Sequence, residues 1–431
     1  MSAPVPVQIG LTGNVASGKS TVGRLWEAAG VPRIDADELS RRAVAPGSAG
    51  LERVVEWFGA EMLREDGSLD RDRLRGRVFD DDEARRELEG ILHPIIARLR
   101  EDEVRELAEQ GTELILNEIP LLFEAGLEGT MDRVVVVHAA ETERLRRMVE
   151  DRAMDPAGAR RMIASQGDPD EKRRKADDVL DNDGTREALE SAALALLDRI
   201  RREEVGTMRL DLHLHTWGSW DSLSDPEAVL ERALARGVER IAITDHNRIH
   251  VALEMAARHP DHVIAGEEVK VAEGIDVIGL HLKDEIPKGT PAEECCRKIR
   301  EQDGIVYLPH PYAAGKGGGG RYAEQLAPSA EVIEAFNARL RSSGANRRGG
   351  ELAARFGLPV GAGSDAHTVA EVGNGRIEVA RHPNTVEALR SVLPFGAIEG
   401  ERAPLHVFAA SNWAKVRKKL GWRPPEARSG S

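Results

Sequence analysis

Two groups of reactive residues stand far apart in this chain. Residues 13–20, GNVASGKS, space two glycines, a lysine and a serine as a loop that binds a nucleoside triphosphate. Its backbone N–H groups bind phosphate oxygens, and the serine hydroxyl ligates Mg²⁺. The second group opens at His213 and His215 and closes at Asp365 and His367. Mixed imidazole and carboxylate ligands suit Zn²⁺, Mn²⁺ or Fe²⁺, and such ions hydrolyse phosphoesters.

The elements around residues 13–20 place this loop at the edge of a sheet. Residues 7–12 form a short apolar run, residues 20–29 have a helical pattern, and a second strand leads to Asp35 and Asp37. This order predicts a parallel α/β sheet. Because the carboxyl ends of parallel strands meet at one edge, both aspartates should lie near the loop. A carboxylate there can accept a proton from an acceptor hydroxyl or hold magnesium.

Further motifs accompany the loop, at residues 9–13, 34–37, 92–94, 120–124 and 176–184. With them, the stretch from about residue 9 to residue 205 resembles the dephospho-CoA kinase family. That family phosphorylates the ribose 3′-hydroxyl of dephospho-CoA. The resemblance implies a P-loop kinase fold, α/β with a parallel sheet and a helical lid, and ATP with Mg²⁺ as the phosphate donor.

The same resemblance implies roles for individual residues. The catalytic residues would be Asp37 as the base, Lys19, and Arg152 from the lid. ATP would be bound by Gly13, Ala16, Ser17, Gly18, Lys19, Ser20, Thr21 and Asn182. The acceptor would be bound by Asp35, His93, Pro120, Leu121 and Leu122. Met162 departs from the family pattern, because many relatives have a second lid arginine there, and Arg160 or Arg161 could substitute.

The second group of residues follows strand-like apolar runs. His213 and His215 are two apart on a predicted strand, so their side chains point to one face. They are joined by Asp221, Asp245, His246, Glu268, His310, Asp365 and His367. From residue 209 onward short strands and helices alternate, which predicts a closed or nearly closed α/β barrel with these ligands at the strand ends.

This series resembles the PHP (polymerase and histidinol phosphatase) domain over about residues 208–400. The resemblance implies a distorted (β/α)7-type barrel. It also implies the metal ligands His213, His215, Asp221, His246, Glu268, His310, Asp365 and His367. Asp276 stands where some relatives have a histidine ligand, so two or three divalent ions are expected.

Length and composition limit the remaining possibilities. A chain of 431 residues exceeds one core, and we expect domains at 7–205 and 208–400 before a C-terminal extension, 401–431, with a disordered end. A mobile loop is expected at 315–321, where Lys316 and Arg321 contact either substrate phosphate or solvent. The formal charge of −14 argues against bulk nucleic-acid and membrane binding. Adjacent Cys295 and Cys296 form no disulfide framework, which favours the cytoplasm.

The sequence therefore predicts a bifunctional enzyme, an ATP-dependent dephospho-CoA kinase joined to a metal-dependent phosphoesterase. A nucleotide such as 3′,5′-bisphosphorylated adenosine is a candidate substrate of the second half, because the kinase product carries a 3′-phosphoadenosine unit. Two alternatives stay open. The second half could be a metal-binding regulatory module without activity, and the first half could be a nucleotide-binding switch, although the aspartate pair speaks against the switch.

Overall fold

The computed structural model describes residues 5–79, 81–314, 318–404 and 406–424, without the side chains of Phe79 and Ser343. It divides into two compact units, Met1–Leu197 and Asp198–Ser431. The expected domain limits, 7–205 and 208–400, stay predictions. Lys316 and the end of the predicted C-terminal extension lie outside the described residues.

The first unit is built on a parallel sheet, as predicted. Its strands are β1 Val7–Thr12, β2 Arg33–Asp35, β3 Leu114–Glu118, β4 Arg133–His138 and β5 Asp178–Asp181. Their order across the sheet is β2-β3-β1-β4-β5, and every pairing is parallel. The continuously apolar β1, β3 and β4 are buried in its centre. Their carboxyl ends consequently share one edge, where polar residues follow.

Helices cover this sheet and form the segment between β4 and β5. They are α1 Lys19–Ala28, α2 Ala36–Ala43, α3 Ala49–Phe58, α4 Arg71–Phe79, α5 Asp82–Glu109, α6 Glu141–Arg146, α7 Pro156–Ala164, α8 Pro169–Lys175 and α9 Arg186–Glu204. The charged segment over residues 142–164 is not one continuous helix. A π-helical turn, Arg147–Asp151, follows α6, and the Asp155 carboxylate then accepts N–H bonds from Ala157 and Gly158 as the N-cap of α7.

The strands of the second unit form a barrel-like sheet. They are β6 Thr207–Leu214, β7 Arg240–Ile243, β8 Val263–Lys270, β9 Asp276–Leu280, β10 Ile305–Leu308, β11 Val332–Asn337, β12 Val360–Gly363, β13 Gly375–Ala380 and β14 Ala397–Gly400. Strands β6 to β12 neighbour one another in chain order. The residues just after β12 pair with the end of β6. The Asp365 N–H donates to the His213 carbonyl, and the His215 N–H donates to the Ala366 carbonyl. The predicted, nearly closed barrel is therefore confirmed.

One strand of the barrel runs against its neighbours. Strand β9 pairs antiparallel with both β8 and β10, whereas β6, β7 and β8 are parallel to each other, as are β10, β11 and β12. The first residue of β9, Asp276, thus lies at the edge where the parallel strands end. Strands β13 and β14 continue the sheet beyond β6 as an antiparallel pair.

Helices pack outside the barrel strands. They are α10 Pro226–Ala235, α11 His250–Arg258, α12 Ala292–Glu301, α13 Arg321–Leu326, α14 Ser343–Phe356, α15 Val386–Val392 and α16 Val407–Lys419. Val229, Met255 and Ile299 of α10, α11 and α12 belong to one apolar core with strand residues. Arg321, expected in a mobile loop, is the first residue of α13. None of the helices in the described ranges is long and apolar enough to cross a membrane.

Candidate active sites

The phosphate loop connects β1 to α1 in the first unit, as its sequence predicts. Gly18 precedes α1 with a φ of 101°, a left-handed conformation that favours glycine. A Cβ atom at Gly18 would lie 2.3 Å from Asn182 Nδ2. The loop therefore requires glycine here for two reasons, its backbone conformation and the close approach of Asn182.

A buried carboxylate that the sequence analysis missed organises this loop. Glu118, at the end of β3, is 2% exposed. Its Oε1 accepts hydrogen bonds from Lys19 Nζ at 2.8 Å and from Ser20 Oγ at 3.0 Å, and its Oε2 accepts one from Arg33 Nη1 at 3.0 Å. The signal in the sequence was an acidic residue that follows the apolar run Leu114–Leu116 by two positions, at the end of a strand. Glu118 fixes the two side chains that would meet nucleotide phosphates and magnesium.

Asn182 and Arg147 support the loop from its other side. Asn182 Nδ2 donates to the Ser17 carbonyl at 2.7 Å, and Arg147 Nη1 donates to the Ala16 carbonyl at 3.2 Å. Arg147, which the sequence analysis did not single out, also donates to the Asn182 carbonyl at 2.8 Å. A cavity of about 470 Å³ opens beside them and is lined by Ala16, Gly18, Thr21, Asn182 and Arg152, among others. The predicted lid arginine thus shares one cavity with several predicted ATP-binding residues.

A second cavity, of about 500 Å³, lies where the acceptor was predicted. It is lined by Asp37, His93, Pro120 and Leu121, together with Asn117, Arg100 and apolar side chains. Leu122 does not reach it, because this residue is fully buried against Ile119 and Val134. The structure thus brings the predicted base and three predicted acceptor-binding residues to one cavity, whereas Leu122 and Asp35 are not part of its lining.

Asp35 has a structural task. Its carboxylate caps α2, accepting N–H bonds from Asp37 and Glu38, and pairs with Arg33 at 2.9 Å. Burial alone would raise the pKa of Asp35, but the Asp37 N–H and the Arg33 guanidinium outweigh burial and lower it. Asp35 therefore stays ionised and stabilises the N-terminus of α2, whose first turn contains Asp37.

In the second unit, the predicted metal ligands meet at the carboxyl edge of the barrel. The Nε2 atoms of His213 and His215 lie 3.2 Å apart. Glu268 Oε2 lies 3.5 Å from His213 Nε2, 3.4 Å from His215 Nε2 and 2.9 Å from His246 Nδ1. One carboxylate thus faces three imidazoles, and together these side chains offer donor atoms that could hold a divalent ion.

The other predicted metal ligands lie around Glu268 and the three histidines that it faces. Asp365 Oδ1 lies 3.3 Å from His215 Nε2, and Asp221 Oδ2 lies 3.2 Å from His367 Nε2. His310 Nε2 lies 3.1 Å from Glu268 Oε1. Four groups of three residues each offer ligand atoms that lie within 4.8 Å of one another. One of these groups consists of Glu268, Asp276 and His310. The reversed strand β9 is the reason that Asp276 reaches this edge.

The chemistry of these side chains fits divalent cations. Imidazole nitrogens and carboxylate oxygens suit Zn²⁺, Mn²⁺ or Fe²⁺. Asp221 Oδ1 is buried and has no hydrogen-bond partner within the described part of the chain. An unpartnered buried carboxylate oxygen is costly, and a bound cation would satisfy it. The neighbour Glu267 belongs to none of the groups of donor atoms described above, and its Oε2 accepts the Ile286 N–H at 2.8 Å.

A buried glutamate that the sequence analysis missed lies behind the ligands. Glu334 on β11 accepts from His213 Nδ1 at 3.0 Å, from the His310 N–H at 2.7 Å and from the Tyr307 hydroxyl at 3.2 Å. A carboxylate on Nδ1 fixes the tautomer that leaves Nε2 free to bind an ion. No sequence motif marks Glu334, although it follows two apolar residues of a predicted strand region.

The two neighbouring histidines have opposite electrostatic environments. Burial lowers the pKa of His213, but Glu334, Glu268 and Asp365 outweigh burial and raise it well above the ordinary histidine value. Burial, followed by the nearby imidazoles of His367 and His246, lowers the pKa of His215 to about 3. Positive charge is thus favoured at His213, beside the carboxylates, and disfavoured at His215, beside the other imidazoles.

The cluster opens into a cavity of about 420 Å³. Its lining includes Asp221, His246, Glu268, Asp276, His310, Asp365 and His367 on one side, and Trp220, Lys270, Lys288, Arg339, Phe408, Ser411, Asn412 and Lys415 elsewhere. A volume of this size suits a small phosphorylated ligand. The last four residues belong to α16 in the predicted C-terminal extension, for which no role was expected.

The parallel sheet and its phosphate loop define the first unit as a P-loop nucleotide-binding protein. The dephospho-CoA kinase family model matches residues 7–188. The dephospho-CoA kinase of Anaeromyxobacter dehalogenans is 45% identical over 193 residues, which are 45% of this chain and 92% of the relative. That of Geobacillus kaustophilus is 40% identical over 189 residues, covering 44% and 94%. The chain therefore belongs to the dephospho-CoA kinase family.

The second unit matches two other family models. The PHP domain model matches residues 211–331, and the PHP-associated model matches residues 343–398. The chain thus joins a dephospho-CoA kinase domain to a PHP domain with its associated segment, as its motifs predicted.

Proposed function

We propose that the first unit transfers the γ-phosphoryl group of ATP to the ribose 3′-hydroxyl of dephospho-CoA, giving coenzyme A and ADP. The observation that carries this proposal is the position of Asp37. It lines the apolar cavity of about 500 Å³ and follows β2, whose carboxyl end shares an edge with the phosphate loop. An acceptor in that cavity would meet a carboxylate on one side and the loop on the other.

The residues around the two cavities have complementary tasks in this reaction. Asp37 accepts the proton of the 3′-hydroxyl as its oxygen attacks the γ-phosphorus. Lys19 and the loop N–H groups neutralise the phosphate oxygens, and Ser20 is placed to ligate Mg²⁺. Arg152, at the edge of the ATP cavity, would offset charge on the transferring group. The bond from the γ-phosphorus to the β-phosphate oxygen breaks, and ADP leaves.

The kinase proposal is tested with Asp37→Asn in the full chain. This change keeps the shape of the side chain and removes the proton acceptor, so kcat should fall about 100-fold or more, with little change in the KM for ATP. Glu38→Gln, next in sequence and exposed, is the control and should leave kcat unchanged. CoA formation from dephospho-CoA and ATP is the readout. Turnover of another nucleoside without turnover of dephospho-CoA would overturn the assignment.

We also propose that the second unit is a metal-dependent phosphoesterase. His213, His215, His246, His310 and His367, with Asp221, Glu268 and Asp365, would hold two or three divalent ions. Such ions activate a water and neutralise phosphoryl oxygens. Supporting this proposal is the central position of Glu268, which faces three imidazoles. Asp276 would be a further ligand in a site of three ions.

A nucleotide is our candidate substrate, with 3′,5′-bisphosphorylated adenosine first, because the kinase product contains the same 3′-phosphoadenosine unit. The test measures phosphate release with Mn²⁺ or Zn²⁺ by the full chain and by His213→Ala. The variant should lose metal and activity together, whereas exposed His250→Ala should lose neither. Metal bound by the unchanged protein without phosphate release from any nucleotide tested would favour the regulatory alternative.

A further inference from the structure

Helix α16 contributes to the cavity beside the candidate metal ligands, although it lies beyond the segments that the three family models match. The PHP and PHP-associated matches end at residues 331 and 398, and α16 spans Val407–Lys419. Four of its residues nevertheless line the cavity beside the candidate ligands. The cavity wall that these four residues form is called the α16 wall below; it comprises Phe408, Ser411, Asn412 and Lys415.

Two hydrogen bonds fix helix α16 to the barrel. Lys418 Nζ donates to the Trp217 carbonyl at 2.6 Å, in the loop that carries Asp221. Arg339, held by Glu371 at 2.7 Å, donates through Nη2 to Ser411 Oγ at 2.6 Å. Two of these partners, Arg339 and Glu371, are almost fully buried. Such contacts hold a helix in one position, so its outward residues have defined places in the cavity.

Arg339 and Lys415 also pack on aromatic rings along this wall. The Arg339 guanidinium lies 5.0 Å from the centre of the Phe408 ring, and Lys415 Nζ lies 4.6 Å from the centre of the Trp220 ring. A cation over an aromatic face gains electrostatic stabilisation and loses side-chain freedom. The Lys415 ammonium group is therefore directed along the cavity and does not extend freely into solvent.

The positively charged side chains that line the cavity differ in whether a carboxylate lies beside them. Lys270 pairs with Asp276 at 3.2 Å, and Arg339 pairs with Glu371. Lys288 and Lys415 have no carboxylate within 4.0 Å among the residues that the structure describes. The cavity thus has the candidate metal ligands on one side. Elsewhere it is lined by the ammonium groups of Lys288 and Lys415, which have no acidic partner among the described residues. An ammonium group that lines a cavity without a counter-charge is suited to bind an anionic group of a ligand.

We propose that the α16 wall determines substrate specificity, with Lys415 and Asn412 binding a second anionic group of a phosphoester whose scissile phosphate lies at the metal ligands. The substrate class is a small phosphate monoester that carries another phosphate or carboxylate on its remote part. This inference rests on the phosphoesterase proposed above. It adds that recognition depends on a segment outside the PHP and PHP-associated matches.

The test compares two probes, adenosine 3′,5′-bisphosphate and adenosine 5′-monophosphate, with the metal-loaded full chain. Lys415→Ala should raise the KM for the bisphosphate about tenfold or more, the loss of one charge-assisted contact, and should leave its kcat and the monophosphate KM unchanged. Lys415→Arg should restore the wild-type KM because it keeps the charge over Trp220. Lys419→Ala, exposed on the same helix and outside the cavity lining, is the matched control.

Calorimetry measures the binding of both probes, and any binding that persists in His213→Ala is subtracted. These data separate the inference about the α16 wall from the phosphoesterase proposal. Hydrolysis of the bisphosphate with no effect of Lys415→Ala on its KM overturns this inference and leaves the phosphoesterase standing. Binding that depends on Lys415, without hydrolysis, supports Lys415 as an anion-binding residue of the cavity and overturns both its role in substrate specificity and the phosphoesterase for these nucleotides. Absence of both binding and hydrolysis overturns both.

Discussion

Glu118 is the residue on which the phosphate loop depends most. It is buried and serves Lys19, Ser20 and Arg33 together, so Glu118→Gln leaves two cations without their shared counter-charge. Breaking a buried ion pair from one side costs about 3–5 kcal/mol, and we expect the free energy of unfolding of the first unit to fall by about this amount. Urea denaturation measures it.

The matched control is Glu27→Gln, because Glu27 pairs with the same Arg33 at 3.1 Å but is 48% exposed. Exposed pairs contribute about 0–1 kcal/mol, so this variant should unfold nearly as the wild type does. Equal losses in the two variants would show that Arg33 and not the burial of Glu118 accounts for the effect.

Glu334 lies behind the predicted metal ligands, much as Glu118 lies behind the phosphate loop. Glu334→Gln keeps the size of the side chain but weakens the bond that orients His213, so metal affinity should fall about 10- to 100-fold. Competition with a coloured chelator measures this change. Glu331→Gln, just before the same strand and paired with Arg390, is the control and should keep full affinity. A variant at Glu334 with unchanged affinity would exclude this role.

At the scale of elements, the barrel closes where β12 meets β6. A Cβ at Gly363 would lie 2.3 Å from His213 Cβ and 3.0 Å from the His213 N. Gly363→Ala must therefore push the two strands apart, and we expect a loss of about 1–3 kcal/mol in the free energy of unfolding together with weaker metal binding. Thermal and urea unfolding of the full chain give the first quantity.

Gly350→Ala provides the contrast. Gly350 lies inside α14, and its Cβ would meet Ala335 Cβ at 3.7 Å, an ordinary contact. Alanine is favoured over glycine in a helix, so stability should rise by about 0.5–1 kcal/mol. A similar loss from both substitutions would contradict the steric explanation for Gly363.

The sequence was informative where a candidate functional side chain lies at or near the carboxyl end of a strand and belongs to a recognisable motif. His213, Glu268 and Asp37 could be predicted because strand ends of an α/β sheet converge, whatever the details of packing. Glu118 and Glu334 were missed, since their importance comes from partners distant in the chain. The reversal of β9 is likewise a matter of strand pairing, which an apolar run does not encode. Helix α16 was missed because its contacts are with other segments and its own residues form no motif.

At the scale of the whole molecule, metal removal should distinguish the two units. Saturation of a site at 100 times its dissociation constant stabilises a fold by about 2.7 kcal/mol. Chelation should therefore lower the unfolding temperature of the second unit by about 5 °C or more, as judged for a domain of its size. Once Mg²⁺ is restored, CoA formation should be unchanged. Calorimetry with and without ATP assigns each transition, and a loss confined to the ATP-responsive transition would contradict this expectation.

The reversed strand β9 also has a consequence for the order in which the metal site assembles. Strands β8 and β9 form a hairpin, with Lys270 opposite Asp276, so Glu268 and Asp276 come together through contacts between near neighbours in the chain. Hairpins of this kind form on the order of microseconds. The contact between His213 and Asp365 must instead wait for the chain of the whole barrel to return. We therefore expect Glu268 and Asp276 to come together during folding before the ligands from β6 and from the segment after β12 join them.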